Sequence, residues 1–250
     1  MGENSKIGWT HHTFNPWAGC TKVSPACDFC FAETDTKRYG FCGWGKDAER
    51  RVTSVQYWRQ LAHWNLDAQL EGVRKRVFVG SWCDVMEDRS ELKIIRDQLC
   101  GLIEENLWLD FLLLTKRPQN FRRFLPAEWL RSPRPNVWGM TTVESAEFKW
   151  REKALLETPF AVRGLSMEPL LGPVEIDPNI DWVIAGGESG PHARPSNPAW
   201  FRSLRDQCAA AGVSFFFKQW GEYRDFVKIG KKAAGALLDG REWLEVPASR

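Results

Sequence analysis

Six short, unbroken apolar runs punctuate the chain: 77–82 (VFVGSW), 110–115 (DFLLLT), 136–143 (NVWGMTTV), 161–167 (AVRGLSM), 181–187 (DWVIAGG) and 214–218 (SFFFK). Runs this short, apolar at consecutive rather than alternate positions, mark parallel strands buried on both faces. Between them the apolar period changes to three and four. Residues 91–106 set Leu92, Ile95, Leu99, Leu102 and Ile103 on one face; 145–157 and 198–211 also read as helices, the last closed by Gly212. This alternation predicts an α/β fold of β/α units around a mostly parallel sheet. A further strand over 12–17, ahead of Cys20, brings the predicted count from six to seven.

Nearly every predicted strand ends in polar residues: Ser81 and Asp84, Lys116 and Arg117, Thr142 and Glu144, Ser166 and Glu168, Glu188 and Ser189, Lys218 and Gln219. Strands that end at a surface show this anyway. In a β/α barrel, however, the C-terminal strand ends converge on one face, where the active site is built. Six such ends in succession favour a barrel with a shared site over an open sheet. Lys116, Arg117, Arg194 and Lys218, with Gln219, are candidate substrate-binding residues suited to a carboxylate or phosphate. They equally suit ion pairs with Glu144, Glu168 and Glu188. Lys116, Glu144 and Lys218 are the candidate catalytic groups. Gly186-Gly187-Glu188 lets a backbone approach a flat ligand closely, and serves as well for a plain tight turn.

A length of 250 residues with 43% hydrophobic and 26% charged residues fits one ordinary barrel-sized domain. No apolar run reaches the ~18 residues of a membrane span. The polar stretch 1–7 has no secretory apolar core, so a cytoplasmic protein is expected. The net charge of +2 does not by itself argue for a nucleic-acid partner. The run 117–123 (RPQNFRR) mixes basic and aromatic residues as a single-stranded nucleic-acid groove does, and a solvated helix face explains it equally. The fourteen tryptophans read as packing residues, and His11 and His12 as hydrogen-bonded rather than metal-ligating. The division expected is a barrel over 1–221 and an extension over 222–250. That extension lacks core periodicity but holds a hairpin around the Asp239-Gly240 turn, expected to pack on the barrel either at one end or over the substrate site.

Seven cysteines, an odd number, do not suggest a disulfide framework in a reducing compartment. Cys100 and Cys208 fall on apolar helix faces and read as core fillers. Cys20, Cys27, Cys30 and Cys42 crowd together, the first three spaced C-x6-C-x2-C. A C-x2-C pair can place two thiolates on one centre, and a six-residue loop turned by Pro25 can bring the third. Thiolate ligands select zinc or an iron–sulfur cluster. Zinc in a structural site wants four closed ligands, which Cys42 could complete; a cubane held by three cysteines leaves one iron free.

The stretch from Asn15-Pro-Trp-Ala-Gly-Cys20 to Cys30-Phe-Ala-Glu33 resembles a three-cysteine family of bacteriophage and bacterial proteins related to radical-SAM enzymes. The resemblance continues through FLLLTKRP (111–118), SMEPLLG (166–172), DWVIAGGESGP (181–191), FFFKQWG (215–221) and GALLDG (235–240). Phe29 fills the aromatic position such enzymes place before the third cysteine, although their usual first gap is three residues, not six. The resemblance implies a radical-SAM-like partial (β/α) barrel with a [4Fe-4S] cluster on Cys20, Cys27 and Cys30. It also implies S-adenosylmethionine chelated at the open iron, and one-electron cleavage to a 5′-deoxyadenosyl radical. An external one-electron reductant of the flavodoxin or ferredoxin type is then required. By position, the implied S-adenosylmethionine contacts are Ser81 and Asp84 after the second strand, Thr142 and Glu144 after the fourth, and Ser166, Glu168, Gly186, Gly187 and Glu188 beyond. The second-strand loop, Gly80-Ser81-Trp82-Cys83-Asp84, departs from the Gly-Gly-Glu pattern usual there. The expected substrate is a small metabolite or a nucleobase, with phage nucleic-acid modification as one form. The competing reading is a non-catalytic zinc module with a Cys20–Cys27–Cys30–Cys42 site, nucleic-acid binding being one form of it. A barrel that keeps the cluster without cleaving S-adenosylmethionine is a third.

Overall fold

In the computed structural model, which describes residues 2–248, the apolar runs become seven strands. They are β1 (His12–Phe14), β2 (Lys75–Val79), β3 (Leu109–Thr115), β4 (Val137–Thr142), β5 (Val162–Met167), β6 (Trp182–Gly186) and β7 (Ser214–Gln219). Each pairs in parallel with the next in sequence, so the sheet order is the chain order. Consecutive right-handed crossovers then put the connecting helices on one side of the sheet, which curls around its other side. The result is a partial β/α barrel of seven parallel strands, open between β1 and β7. The sequence-predicted first strand is shorter than 12–17: Pro16 ends the ladder, and Trp17–Ala18 turns away to pair with Arg51–Val52.

The principal helices are α1 (Phe31–Arg38), α2 (Gln60–Glu71), α3 (Lys93–Glu105), α4 (Trp150–Leu156) and α5 (Pro198–Ala211). Helix α5 starts where the Asn197 side chain accepts the Ala199 N–H and ends at Gly212, whose φ of 69° only glycine adopts freely. The helix predicted over 145–157 is interrupted: a tight turn at Ala146–Phe148 precedes α4.

Alternate strand residues pack into two cores. Outward, Val77, Val79, Phe111, Leu113, Phe215 and Phe217 meet Leu99, Ile103, Phe201 and Cys208 of the helices. Inward, Phe78, Leu112, Trp138, Met140, Trp182, Ile184 and Phe216 close around Trp9. Trp182 lies edge-on to both Trp9 and Trp138, at 6.3 and 6.0 Å. This aromatic floor fills the N-terminal half of the barrel. Toward the C-terminal ends the inward positions turn polar, with Thr142 and Ser166 directly paired across β4 and β5. The apolar half fixes the frame, and the polar half is the mouth.

The chain after β7 divides its contacts. Residues 222–234 lie on the mouth rim, where Glu222 N–H donates to Glu188 O at 3.0 Å. Residues 243–245 run antiparallel along the open edge of β7, with Phe217 N–H donating to Trp243 O and Glu245 N–H to Phe215 O. Trp182 Nε1 then donates to Glu245 O, and Val246 packs under the tryptophan floor. A surface depression of about 470 Å³, lined among others by Val162, Asp181, Ser214 and Pro247, lies at this floor end and not at the mouth. Among the described residues no helix is long and apolar enough to cross a membrane.

Candidate functional site

The cysteine loop leaves the C-terminal end of β1 and crosses the strand ends. Four anchors hold it there: Gly19 N–H donates to Trp82 O after β2, Arg50 Nη2 to Thr21 Oγ1, Arg117 Nη2 to Thr21 O after β3, and Arg194 Nη2 to Pro25 O after β6. Pro25 opens a single tight turn ending at Cys27, and Cys30 stands at the start of α1. Cys20 Sγ lies 3.7 Å from Arg117 Nη1. Burial, reinforced by Asp84, pushes the Cys20 thiol up to about 12, while Arg117 opposes the rise. Burial also raises Cys30. The amides of Glu33 and Ala32 and the Lys116 ammonium pull the other way, although no full cap bond reaches the sulfur. Cys27 interacts electrostatically with Cys30 and with Arg151.

Three soft donors on one loop, flanked by the Arg117 and Lys116 cations that favour thiolate, suit a soft metal centre. Among the described residues no three His, Cys, Asp or Glu side chains converge as a single ion requires. Neither the three-cysteine set nor a tetrahedral Cys20–Cys27–Cys30–Cys42 site is therefore preformed among the described residues. A cubane spreads its three thiolates over separate corner irons, and the donor set fits that group in number and chemistry.

Around the loop, the ends of β2 to β7 contribute to four acid–base pairs. Asp84 accepts from Arg117 Nη1 (2.7 Å), Thr115 Oγ1 (2.6 Å), and the Met86 and Lys116 N–H groups. Glu144 Oε2 meets Arg151 Nη1 at 2.8 Å with both side chains 1% exposed. Glu168 Oε1 meets Lys218 Nζ at 2.8 Å. Glu188 takes Arg194 through both oxygens, at 2.8 and 2.5 Å, and Arg194 lies over the Phe29 ring. Thus Arg117, Arg194 and Lys218, expected as substrate-binding groups, are engaged by carboxylates of the protein itself. Arg117 is nearly buried and needs the counter-charge of Asp84, whereas Arg194 and Lys218 are part-exposed and answer the more deeply buried carboxylates of Glu188 and Glu168. Lys116 differs: among the described residues its ammonium makes no ion pair, and its field reaches Cys30. Glu144 Oε1 is likewise buried without a partner among the described residues.

The remaining predicted residues divide similarly. Thr142 and Ser166 are buried side by side at the mouth. Ser81 exchanges hydrogen bonds with Asn15, at 2.9 and 3.3 Å, tying β1 to β2. Gln219 Nε2 donates to Ser189 Oγ. The protein itself closely approaches the Gly186-Gly187 pair on its Cβ side. A Cβ on Gly186 would stand 2.8 Å from Glu168 Oε1, and one on Gly187 only 1.9 Å from Trp220 O. Sequence reasoning missed Asn15, Arg50, Glu87, Arg151 and Lys231. Arg151 had a signal, since it stands only seven residues after Glu144; Arg50–Glu87, at 2.8 Å, joins residues far apart in the chain and had none.

The fold and site together define a partial β/α barrel with a three-cysteine loop laid across its C-terminal mouth. The chain belongs to the family described as "Protein of unknown function (DUF5131)", whose model matches residues 4–247. No curated protein matches it. Three solved structures of spore photoproduct lyase variants are similar to it. One holds AdoMet and dinucleoside spore photoproduct, at 11% identity and a TM-score of 0.47. The others stand at 12% and 0.47, and at 13% and 0.45. Each match covers 83% of this chain and 55% of the other, so the chain spans about half the length of those proteins.

Proposed function

We propose that the protein is a radical-SAM enzyme in which Cys20, Cys27 and Cys30 hold a [4Fe-4S] cluster and the strand-end ring holds S-adenosylmethionine and a small-molecule or nucleobase substrate. One observation carries this reading: the three thiols lie on a loop pinned over the C-terminal mouth of a parallel barrel, beside Arg117 and Lys116. That face is where such folds assemble chemistry. When bound, the reduced cluster and S-adenosylmethionine would supply a 5′-deoxyadenosyl radical.

The chain's own residues would then position and protect. The Thr142 and Ser166 hydroxyls and the free Glu144 oxygen offer acceptors and donors for a ribose. Lys116, unpaired, can meet a carboxylate. The Lys218–Glu168 pair can hold or release a proton on the substrate side, and the pinned loop excludes water. Electrons would come from an external one-electron reductant, and a reducing cytoplasm would keep the thiols free. The test is anaerobic reconstitution followed by electron paramagnetic resonance of the reduced protein with and without S-adenosylmethionine. A cubane signal that changes on adding S-adenosylmethionine is expected; an unchanged signal, or none, overturns the proposal.

A further inference from the structure

The rim segment after β7 contains a hairpin whose sequence conflicts with its shape. Tyr223–Arg224 pairs antiparallel with Val227–Lys228 around a two-residue turn, Asp225-Phe226. Both turn residues have positive φ, 49° and 65°. Tight hairpins of this kind normally use Asn-Gly or Asp-Gly. A phenylalanine in the left-handed region is strained, and strain of this sort collects at functional sites. Its result is a large aromatic ring, 59% exposed, held at the tip of a short ribbon. Val227 and Ile229 beside it are exposed too.

The charge around the ring is as uneven as its geometry. Residues 223–232 (YRDFVKIGKK) carry four cations against one acid, a local excess of three in a chain whose net charge is only +2. Lys228 Nζ donates to Pro191 O, which fixes the hairpin to the loop after β6. That same loop ends in His192 and Arg194, which pack on Phe29 of the cysteine loop at 5.5 and 5.0 Å. Phe29 is itself 39% exposed. Toward the mouth, burial and then the neighbouring Lys218 lower the Lys231 pKa, which places a second cation beside the Lys218–Glu168 pair. One rim therefore runs from Phe226 past the strand ends to Phe29, with an exposed aromatic at each end and basic residues between.

We propose that this rim, with Phe226 as stacking platform and Arg224, Lys231 and Lys232 as phosphate contacts, binds single-stranded nucleic acid and presents one nucleotide to the mouth. Rings that stack on any base, interleaved with cations that follow the backbone, are the recurring solution for unpaired strands. A duplex would not offer a base face to Phe226. The inference gives a substrate class to the site of the preceding section and rests on that reading only for the chemistry; the binding does not need the cluster.

The test uses the protein as purified and a fluorescein-labelled single-stranded DNA, and the matching RNA, of about 16 nucleotides. Anisotropy should show salt-dependent binding of at least one of them, stronger than binding of the same sequence as duplex. Phe226→Ala should weaken it about tenfold, as loss of one stacked base does. Arg224→Gln with Lys232→Gln should lower the slope of log affinity against log salt by about 1.4, two phosphate contacts' worth. Absence of binding to both strands near physiological salt overturns the proposal. So does binding indifferent to Phe226→Ala and to the double variant, or preferential binding to vesicles rich in phosphatidylglycerol. Measuring 5′-deoxyadenosine formation on the reconstituted wild type without nucleic acid keeps failure here distinct from failure of the radical-SAM reading.

Discussion

Asp84 shows what a single side chain contributes at this mouth. Its carboxylate accepts from Thr115, Arg117, Met86 and Lys116, all within 3.2 Å, and so joins the ends of β2 and β3 beneath the cysteine loop. Asp84→Ala should destabilise the metal-free protein by about 3–5 kcal/mol in urea unfolding, because it strands the buried Arg117 charge. Adding Arg117→Met should recover part of that loss; no recovery would mean that packing rather than charge dominates. Gly187 makes the complementary case. A methyl group there meets a backbone oxygen that cannot move aside, so Gly187→Ala should cost roughly 3 kcal/mol or more, read as a lowered Tm. At this scale the sequence identified the residues but not their partners. Asp84 and Arg117 both stood out as strand-end polar groups, yet only the folded register brings them together. The glycine pair was visible, but what approaches it is a protein backbone.

Among the elements, the strands were the most legible. Their apolar runs survive as β2 to β7 with ends shifted by up to three residues, because burial on both faces leaves few alternatives. In the tail the expected Asp239-Gly240 turn is present, closed by Leu238 and Arg241 pairing antiparallel, but the packing of the rest was not legible. Its contacts alternate between rim, edge and floor, so no single period develops, although Leu238 and Ala234 are buried. Its edge role gives a prediction: truncation after Gly240 should expose the β7 ladder and the tryptophan floor, lowering Tm and promoting aggregation in light scattering. The junction before β1 gives another. His11 Nδ1 accepts the Arg76 N–H at 2.8 Å, and burial, with Arg76 next, lowers its pKa from 6.5 to about 4. The folded value lies below the unfolded one, so this contribution is complete above pH 6.5 and is lost as pH falls toward 4. With the imidazole half-exposed, the effect is on the order of 1 kcal/mol. His11→Asn should flatten the difference in unfolding midpoint between pH 7 and 4.5; a variant with the wild-type acid dependence would rule His11 out.

At the scale of the whole molecule, the barrel divides into an aromatic floor that stabilises and a polar mouth that is costly to build. Buried pairs such as Glu144–Arg151 and Arg50–Glu87 contribute little net stability. Their placement around the cysteine loop makes sense as support for whatever the loop holds. The cysteine spacing made the loop recognisable in the sequence, but its anchoring by Arg117 and Arg194 depends on residues 97 and 169 positions away. The central claim is a cubane on three cysteines with one iron left for S-adenosylmethionine. The most direct measurement compares Cys42→Ala with the single alanine variants of Cys20, Cys27 and Cys30 after anaerobic reconstitution. Cys42→Ala should keep about four irons per chain and form 5′-deoxyadenosine when reduced, while each of the other three loses both together. Stoichiometric zinc that needs all four cysteines, with no 5′-deoxyadenosine formed, would contradict the account.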